Sequence, residues 1–309
     1  MVNSPLLGLK LFICLSCGLS GIISNSWILG MNMTDVRRGI SLSPCDLILS
    51  LMGATNALLQ STLSIDMAMI QTKLYDTFDQ FHLTIISVNI FLVSCNLWFT
   101  VWLFTYYCLK IVNFSKGILL FLKMRISDLL PRLLLISTIQ SFCMAVPSHW
   151  SIYVETAKII FTNTTLNSTE ENRYLVIRLP YLFIPLAECS LLLLVSLVPI
   201  GMTLASLWKH NRRMRRKETD SCRPRTMAHI RATWIMISLV TLHTAFCGML
   251  LSFLFQSFNV VEVAMFFSWY FILFYPTVQS IVIITGNSKL WGACRKILCR
   301  DGTTTVHKA

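Results

Sequence analysis

Leu207–Lys217 reads LWKHNRRMRRK and places six cationic side chains, Lys209, Arg212, Arg213, Arg215, Arg216 and Lys217, within nine residues. They follow a long apolar run that contains Pro185 and Pro199. A basic cluster this dense suits nucleic acid, a nuclear address or a membrane surface, and its flanks decide between them. Of the 309 residues, 55% are hydrophobic and only 13% charged. Soluble domains carry roughly a quarter charged residues, so this balance belongs to a membrane protein. The net charge of +12 lies between apolar blocks rather than across a polar face, which argues against nucleic acid as a partner.

A helix rising about 1.5 Å per residue crosses a hydrocarbon core of about 30 Å in about 20 apolar residues. Stretches at about 6–31, 42–69, 83–109, 129–146, 181–208, 232–255 and 263–285 meet that length. They predict an all-α membrane protein, a seven-transmembrane helix bundle forming one domain over 1–309, with the tail at 286–309. The second stretch is the weakest, interrupted by Asp46, Asn56 and Gln60. The first has no basic flank or small-residue cleavage site ahead of it and is expected to remain as an anchor.

Lysine and arginine set the orientation, because short cytoplasmic loops carry their excess. Arg37 and Arg38, then Lys116, Lys123, Arg125 and Arg132, then the cluster from Lys209 to Arg231, and finally the tail from Lys289 to Lys308 all fall on one side. The chain is therefore expected to be a multi-pass plasma-membrane protein with its amino terminus extracellular and its carboxyl terminus cytoplasmic. That places FTNTTLNSTEENR in an external loop, where the sequons at Asn163 and Asn167 are available for glycosylation. LWKHNRRMRRK becomes the cytoplasmic end of the fifth span. Its bases either meet anionic lipid alone or also present a surface to a partner.

Cys14, Cys17, Cys95, Cys143, Cys189 and Cys247 lie inside apolar runs, so buried thiols are expected and no disulfide. The six histidines are scattered, with no zinc-type spacing, and no metal or cofactor is expected. Ionisable groups within spans are costly and need a partner or a wet cavity. Asp46 is expected to pair with Arg37 and Arg38, whereas Asp66 and Glu188 lie near outer span ends, where they can face an external cavity.

GIISNSWI with Asn25, LSPCDLILSLMGATNALLQ, WFTVWLFTYYCLKIVNFS from Trp98 to Ser115, SLWKHNRRM continuing to RPRTMAHIRA, and YPTVQSIVIITGNSKLWGACRKIL form a set of segments spread along the chain. Together they resemble the type 2 taste receptors, the bitter taste receptors, a family of G-protein-coupled receptors. Absences agree: no Asp-Arg-Tyr ends the third span and no Asn-Pro-x-x-Tyr closes the seventh. Nor does a cysteine mark the outer end of the third. The chain departs from the family with Asn56 where an arginine is usual, Gln279 and Ser280 where His-Ser is usual, and His243 where a tyrosine is common. It is identified as a divergent member.

The resemblance implies a cavity for small bitter agonists between the outer halves of the third, fifth, sixth and seventh helices. Its positions fall on Asn89, Val93, Trp269 and Ile272, joined by the carboxylates Asp66 and Glu188, with Glu262 at the mouth. Trp269 is equally suited to an interfacial lipid contact. Asn25, Asn56, Gln279 and Ser280 are expected to form one activation network among helices one, two and seven. His243 is either a switch element of it or a histidine satisfied by a carbonyl. Tyr107, Lys110, His210, Arg213, Met214, His229 and Arg231 match the face that meets a heterotrimeric G protein. In this family that partner is gustducin-type, leading to phospholipase C and calcium signalling. The tail segment SKLWGACRKIL is expected to be a short amphipathic helix against membrane lipid, with Cys294 and Cys299 open to palmitoylation.

No span holds a metal box or an acid pair beside a nucleophile, so an enzyme is not expected. A type 1 vomeronasal-like pheromone receptor and a small-solute transporter stand as alternatives, and a possible oligomer is left open.

Overall fold

The computed structural model describes residues 4–72, 74, 77–114, 117–149, 152–163, 166–177, 179–214, 223–256 and 262–304, with side chains placed within 8–147, 183–212, 230–252 and 268–297. Seven long helices run in order: α1 Ser4–Arg37, α2 Pro44–Thr72, α3 Asp79–Ile111, α4 Ile118–His149, α5 Leu179–Met214, α6 Arg223–Gln256 and α7 Glu262–Gly286. α8, Ser288–Thr304, follows. Six of the seven have described stretches long and apolar enough to cross a bilayer. The seventh crossing is a bent pair, Tyr270–Gly286 with Ser288–Ile297, turned by 93°. α7 is thus the last span and α8 lies across its end.

The helices outrun the apolar stretches because a backbone in hydrocarbon must bond to itself. α4 starts at Ile118, well before the apolar run at 129, carrying KMRISD within the helix. Pro131, Pro147, Pro185, Pro199 and Pro276 lie inside helices, as bilayer bundles allow. Pro224 instead occupies the first turn of α6, where its missing N–H has no partner to lose.

Exposure runs inside out. On α1, Phe12, Leu15, Leu19 and Ile23 face outward at helical spacing, while Cys14, Cys17, Asn25 and Ile28 are buried. α4 likewise shows Leu135, Ile136, Ile139 and Phe142 to the outside. Such stripes would drive aggregation in water and are the lipid face here. α3 is central, packing on α2, α4, α5 and α6, and its Phe99, Leu103 and Phe104 join Ile48, Met52, Met236 and Leu239 in the core.

Short motifs set the ends. α1 stops in a Schellman turn: Ile40 N donates to Asp35 O, Gly39 N donates to Val36 O, and Gly39 takes φ +76°, which a side chain would disfavour. Ser43 caps α2, its hydroxyl accepting from Asp46 N at 3.1 Å and donating to Asp46 Oδ2 at 2.8 Å, with Pro44 first in the helix. Asn287 starts α8 by accepting from Lys289 N and Leu290 N.

The loop between α4 and α5 adds what the helical pattern did not foretell: an antiparallel hairpin of β1 Ile152–Asn163 and β2 Leu166–Ile177. Its register pairs Ile152 with Ile177 and Asn163 with Leu166. Both sequon asparagines, Asn163 and Asn167, therefore sit at the tip of the hairpin.

Asp46 does not pair with Arg37 and Arg38 as expected. Its cation is Lys289 of α8, whose Nζ lies 3.4 Å from Asp46, 2.6 Å from Asp35 and 2.8 Å from Asn32 Oδ1. Asn32, a sequon residue by sequence, is buried and also donates to Ser50 Oγ and Asp46 O. Arg37 and Arg38 are exposed, so the partly buried lysine from the turned helix is the cation within reach. Burial pushes the Lys289 ammonium down, but the hydrogen bond to Asp35 and the charges of both aspartates outweigh it and hold its pKa above the lysine value. Because the folded pKa is raised, this clasp is fully formed below the ordinary lysine range and is lost only as pH rises through the raised value. Lys289→Met is expected to destabilise the bundle by about 1.5–3 kcal/mol at neutral pH, the size of hydrogen bonds to charged groups. Thermal unfolding checks this, and the gap between the variant and the parent should narrow in strong alkali.

Candidate ligand cavity and polar core

Asp66, Asn89, Val93, Glu188 and Ile272, drawn from four helices, line one cavity of about 160 Å³. Leu63, Ile86, Ile90, Ser94, Leu97, Pro185, Phe246 and Leu250 complete the wall. The cavity lies toward the end of the bundle that carries the start of α1, between α2, α3, α5, α6 and α7. α2 takes part through Asp66, beside the four helices that the resemblance implied. Trp269 and Glu262 lie on α7, but their side chains fall outside the described residues.

Each carboxylate is held differently. Asp66 Oδ1 is 2.8 Å from His82 Nε2, and both side chains are almost fully buried. Glu188 Oε1 accepts from Ser94 Oγ at 2.8 Å, Trp98 Nε1 at 3.1 Å and Gln140 Nε2 at 3.2 Å, with Ser141 Oγ 2.9 Å behind Ser94. Three neutral donors from α3 and α4 thus fix a buried carboxylate of α5. Among the described residues lining the cavity there is no lysine or arginine. Thr62 donates to Asn89 Oδ1, tying α2 to α3 at the cavity wall. His82, Ser94, Trp98 and Gln140 were not singled out by sequence, although the four-residue step from Ser94 to Trp98 puts both on one helix face.

The polar residues expected to form one network form two. Asn96 Nδ2 donates to Asn56 Oδ1, Asn56 Nδ2 to Gln279 Oε1 at 2.9 Å, and Gln279 Nε2 to Thr100 Oγ1 at 3.1 Å. This ring joins α2, α7 and α3, and α1 is not in it. Asn25 and Ser280 belong to a separate seam between α1 and α7. There Asn25 Nδ2 donates to Gly21 O at 2.8 Å and more weakly to Pro276 O at 3.4 Å, and the Ser24 and Ser280 hydroxyls lie 2.6 Å apart. Gln60 extends the seam, donating to Leu273 O at 3.2 Å and accepting from Thr277 Oγ1 at 3.3 Å. His243 joins neither group. Its Nε2 is 3.2 Å from Cys189 O, between α6 and α5.

At the opposite end, Tyr107 is half-buried and accepts from Cys45 Sγ, while Lys110 and Arg231 are exposed. His210, Arg213, Met214 and His229 lie on α5 and α6, but their side chains fall outside the described residues, as does that of Cys299 on α8. Cys294 is half-buried and lines a groove with Ile23, Trp27, Ile284 and Ile297, formed by α1, α7 and α8.

Seven membrane-crossing helices, a cavity walled by five of them and a last helix turned along the other end make a bundle of the G-protein-coupled receptor type. A family model described as Taste receptor protein (TAS2R) matches residues 1–301, and the chain belongs to that family. Taste receptor type 2 member 7 of Rattus norvegicus is 29% identical over 304 residues, 95% of each chain. Taste receptor type 2 member 2 of Homo sapiens is 30% identical over 301 residues, 91% of this chain and 92% of the relative. Taste receptor type 2 member 40 of Gallus gallus is 28% identical over 239 residues, 75% of each. The pheromone-receptor and transporter alternatives fall away.

Proposed function

We propose that this taste receptor binds small bitter compounds in the cavity bounded by Asp66, Asn89, Val93, Glu188 and Ile272, entering from outside the cell. The observation that carries this is the convergence of five separately expected residues on one largely apolar cavity, with a buried carboxylate held, among the described residues, by neutral donors. Ligand pockets are typically apolar with a few fixed polar groups. Glu188 supplies such a group, and with no lysine or arginine among the described lining residues it favours an amphipathic ligand bearing one cationic centre. Trp269 and Glu262 extend the site along α7.

The amino terminus is extracellular and the tail cytoplasmic, as the distribution of basic residues requires. The hairpin tip then presents Asn163 and Asn167 for glycosylation. On the inner side Tyr107, Lys110, His210, Arg213, Met214, His229 and Arg231 meet a gustducin-type G protein, whose signal raises calcium through phospholipase C. Agonist shifts the population toward the coupling state by no more than its differential affinity for it. The Asn56–Gln279 ring and the Asn25–Ser280 seam hold the helices in one of two arrangements. Cys294 and Cys299 carry acyl chains against inner-leaflet lipid.

The test is intracellular calcium in cells that display the receptor and carry a promiscuous Gα, challenged with a panel of bitter compounds. Responses that vanish when Gα is withheld are the expected result. Silence across cationic and neutral compounds alike, with surface display confirmed, overturns the reading. Asn163→Gln combined with Asn167→Gln is expected to raise electrophoretic mobility to that of the deglycosylated receptor. An unchanged band would place the hairpin on the wrong side of the membrane.

A further inference from the structure

Cys189 of α5 and His243 and Cys247 of α6 bring two thiol sulfurs and an imidazole nitrogen within 4.8 Å of one another, all three residues buried. No sequence motif announces this, because the first ligand comes from another helix. Only the step from His243 to Cys247 is legible, and it sets both on one face of α6. The histidine is already oriented as a ligand would be. Nε2 faces Cys189 O at 3.2 Å, the Cys247 thiol interacts with the same ring, and the side chain is 1% exposed. A ring N–H held by a backbone carbonyl leaves the other nitrogen with its lone pair free, the usual outer-shell arrangement of a metal-bound imidazole.

We propose that Cys189, His243 and Cys247 form a binding site for a thiophilic divalent cation of the Zn²⁺ class, which cross-links α5 to α6 beside the ligand cavity. Two thiolates and an imidazole are ligands suited to that ion. Tetrahedral Zn²⁺ with Zn–S bonds of about 2.3 Å sets its sulfurs about 3.8 Å apart. A triad spanning at most 4.8 Å reaches that by small side-chain rotations. The charge also balances: Zn²⁺ forms two Zn–S bonds and one Zn–N bond, each thiol releases its proton to water, and the resulting centre is neutral. Neutrality matters here, since an uncompensated charge amid hydrocarbon is costly. The cavity lies alongside, its wall holding Glu188 and Phe246, the chain neighbours of Cys189 and Cys247. Three protein ligands leave a fourth position for water or for a donor atom from a compound in the cavity. This inference does not depend on the identity of the taste ligand.

The test uses the full receptor, reduced and reconstituted in lipid nanodiscs, with Co²⁺ alone and then Zn²⁺ alone. One equivalent of Co²⁺ is expected to give thiolate-to-metal charge-transfer absorption that one equivalent of Zn²⁺ abolishes. Zinc-edge X-ray absorption should show two sulfurs and one imidazole in the first shell. Cys189→Ser with Cys247→Ser should remove the sulfur shell, whereas Cys143→Ser, on the outer face of α4, should leave it intact. His243→Gln keeps both thiols and should lose only the imidazole signal. If the double variant fails to assemble, the wild-type absorption edge together with His243→Gln decides. A first shell of oxygen and nitrogen alone, a sulfur shell that survives the double variant, or an imidazole signal that survives His243→Gln overturns the site.

Discussion

Glu188→Gln is expected to weaken a cationic agonist by about ten- to a hundredfold while leaving a neutral occupant of the same cavity nearly unchanged. A hydrogen bond to a charged group contributes about 1.5–3 kcal/mol, and about 1.4 kcal/mol corresponds to a factor of ten. Glutamine keeps a carbonyl oxygen where Ser94, Trp98 and Gln140 donate, so the scaffold survives and only the charge is lost. Glu188→Ala adds a different injury, orphaning those donors at about 1–3 kcal/mol each, and should reduce surface display as well. Calcium concentration–response curves for a matched cationic and neutral pair separate the two effects. Equal shifts for both compounds with the glutamine variant would mean that Glu188 shapes the wall without recognising charge.

The second large effect belongs to the ring of Asn96, Asn56, Gln279 and Thr100. Asn56→Leu removes one acceptor and one donor at a position with no solvent exposure. A cost of about 2–3 kcal/mol is expected, two unsatisfied groups at the lower end of their usual penalty. Interhelical hydrogen bonds in membranes average about 0.6 kcal/mol and reach about 1.7, so the coupling of Asn56 to Gln279 should lie near the upper figure. Thermal unfolding of Asn56→Leu, Gln279→Leu and the double variant in nanodiscs gives that coupling directly. Strict additivity would show that the two amides are neighbours without an energetic bond, and the ring would then have no part in selecting a receptor state.

What the sequence made readable follows from what hydrophobic length can encode. Seven apolar stretches marked seven helices, and the tail segment after Gly286 marked α8, because crossing a bilayer imposes a length and Asn287 supplies a cap. The extended hairpin was not read, since Ile152–Asn163 alternates only weakly and lies among polar loop residues. For the cavity, the matching of family positions selected Asn89, Val93 and Ile272, and the cost of a carboxylate within a span selected Asp66 and Glu188. What those carboxylates touch was beyond reach. His82 and Gln140 approach them across helix contacts, and no spacing within one helix encodes that. The same limit explains Asp46, where the arginines nearest in sequence yielded to a lysine from a helix some two hundred and forty residues on. Asn96 and Thr100 were missed although their four-residue step lies on one face of an apolar span, a signal available to a reader who lists polar pairs at that period.

A final consequence comes from Gly21, in the seam between α1 and α7. A methyl group there would sit 2.6 Å from both Gln60 Oε1 and Thr277 Oγ1, so α1, α2 and α7 meet at this level closely enough that one more carbon would displace side chains. α5 and α6 meet differently, through the contact of His243 Nε2 with Cys189 O at 3.2 Å and around Glu188, Phe246 and Leu250 of the cavity wall. Gly21→Ala is therefore expected to push Gln60 and Thr277 off their mutual hydrogen bond and to loosen α2 from α7 at this level.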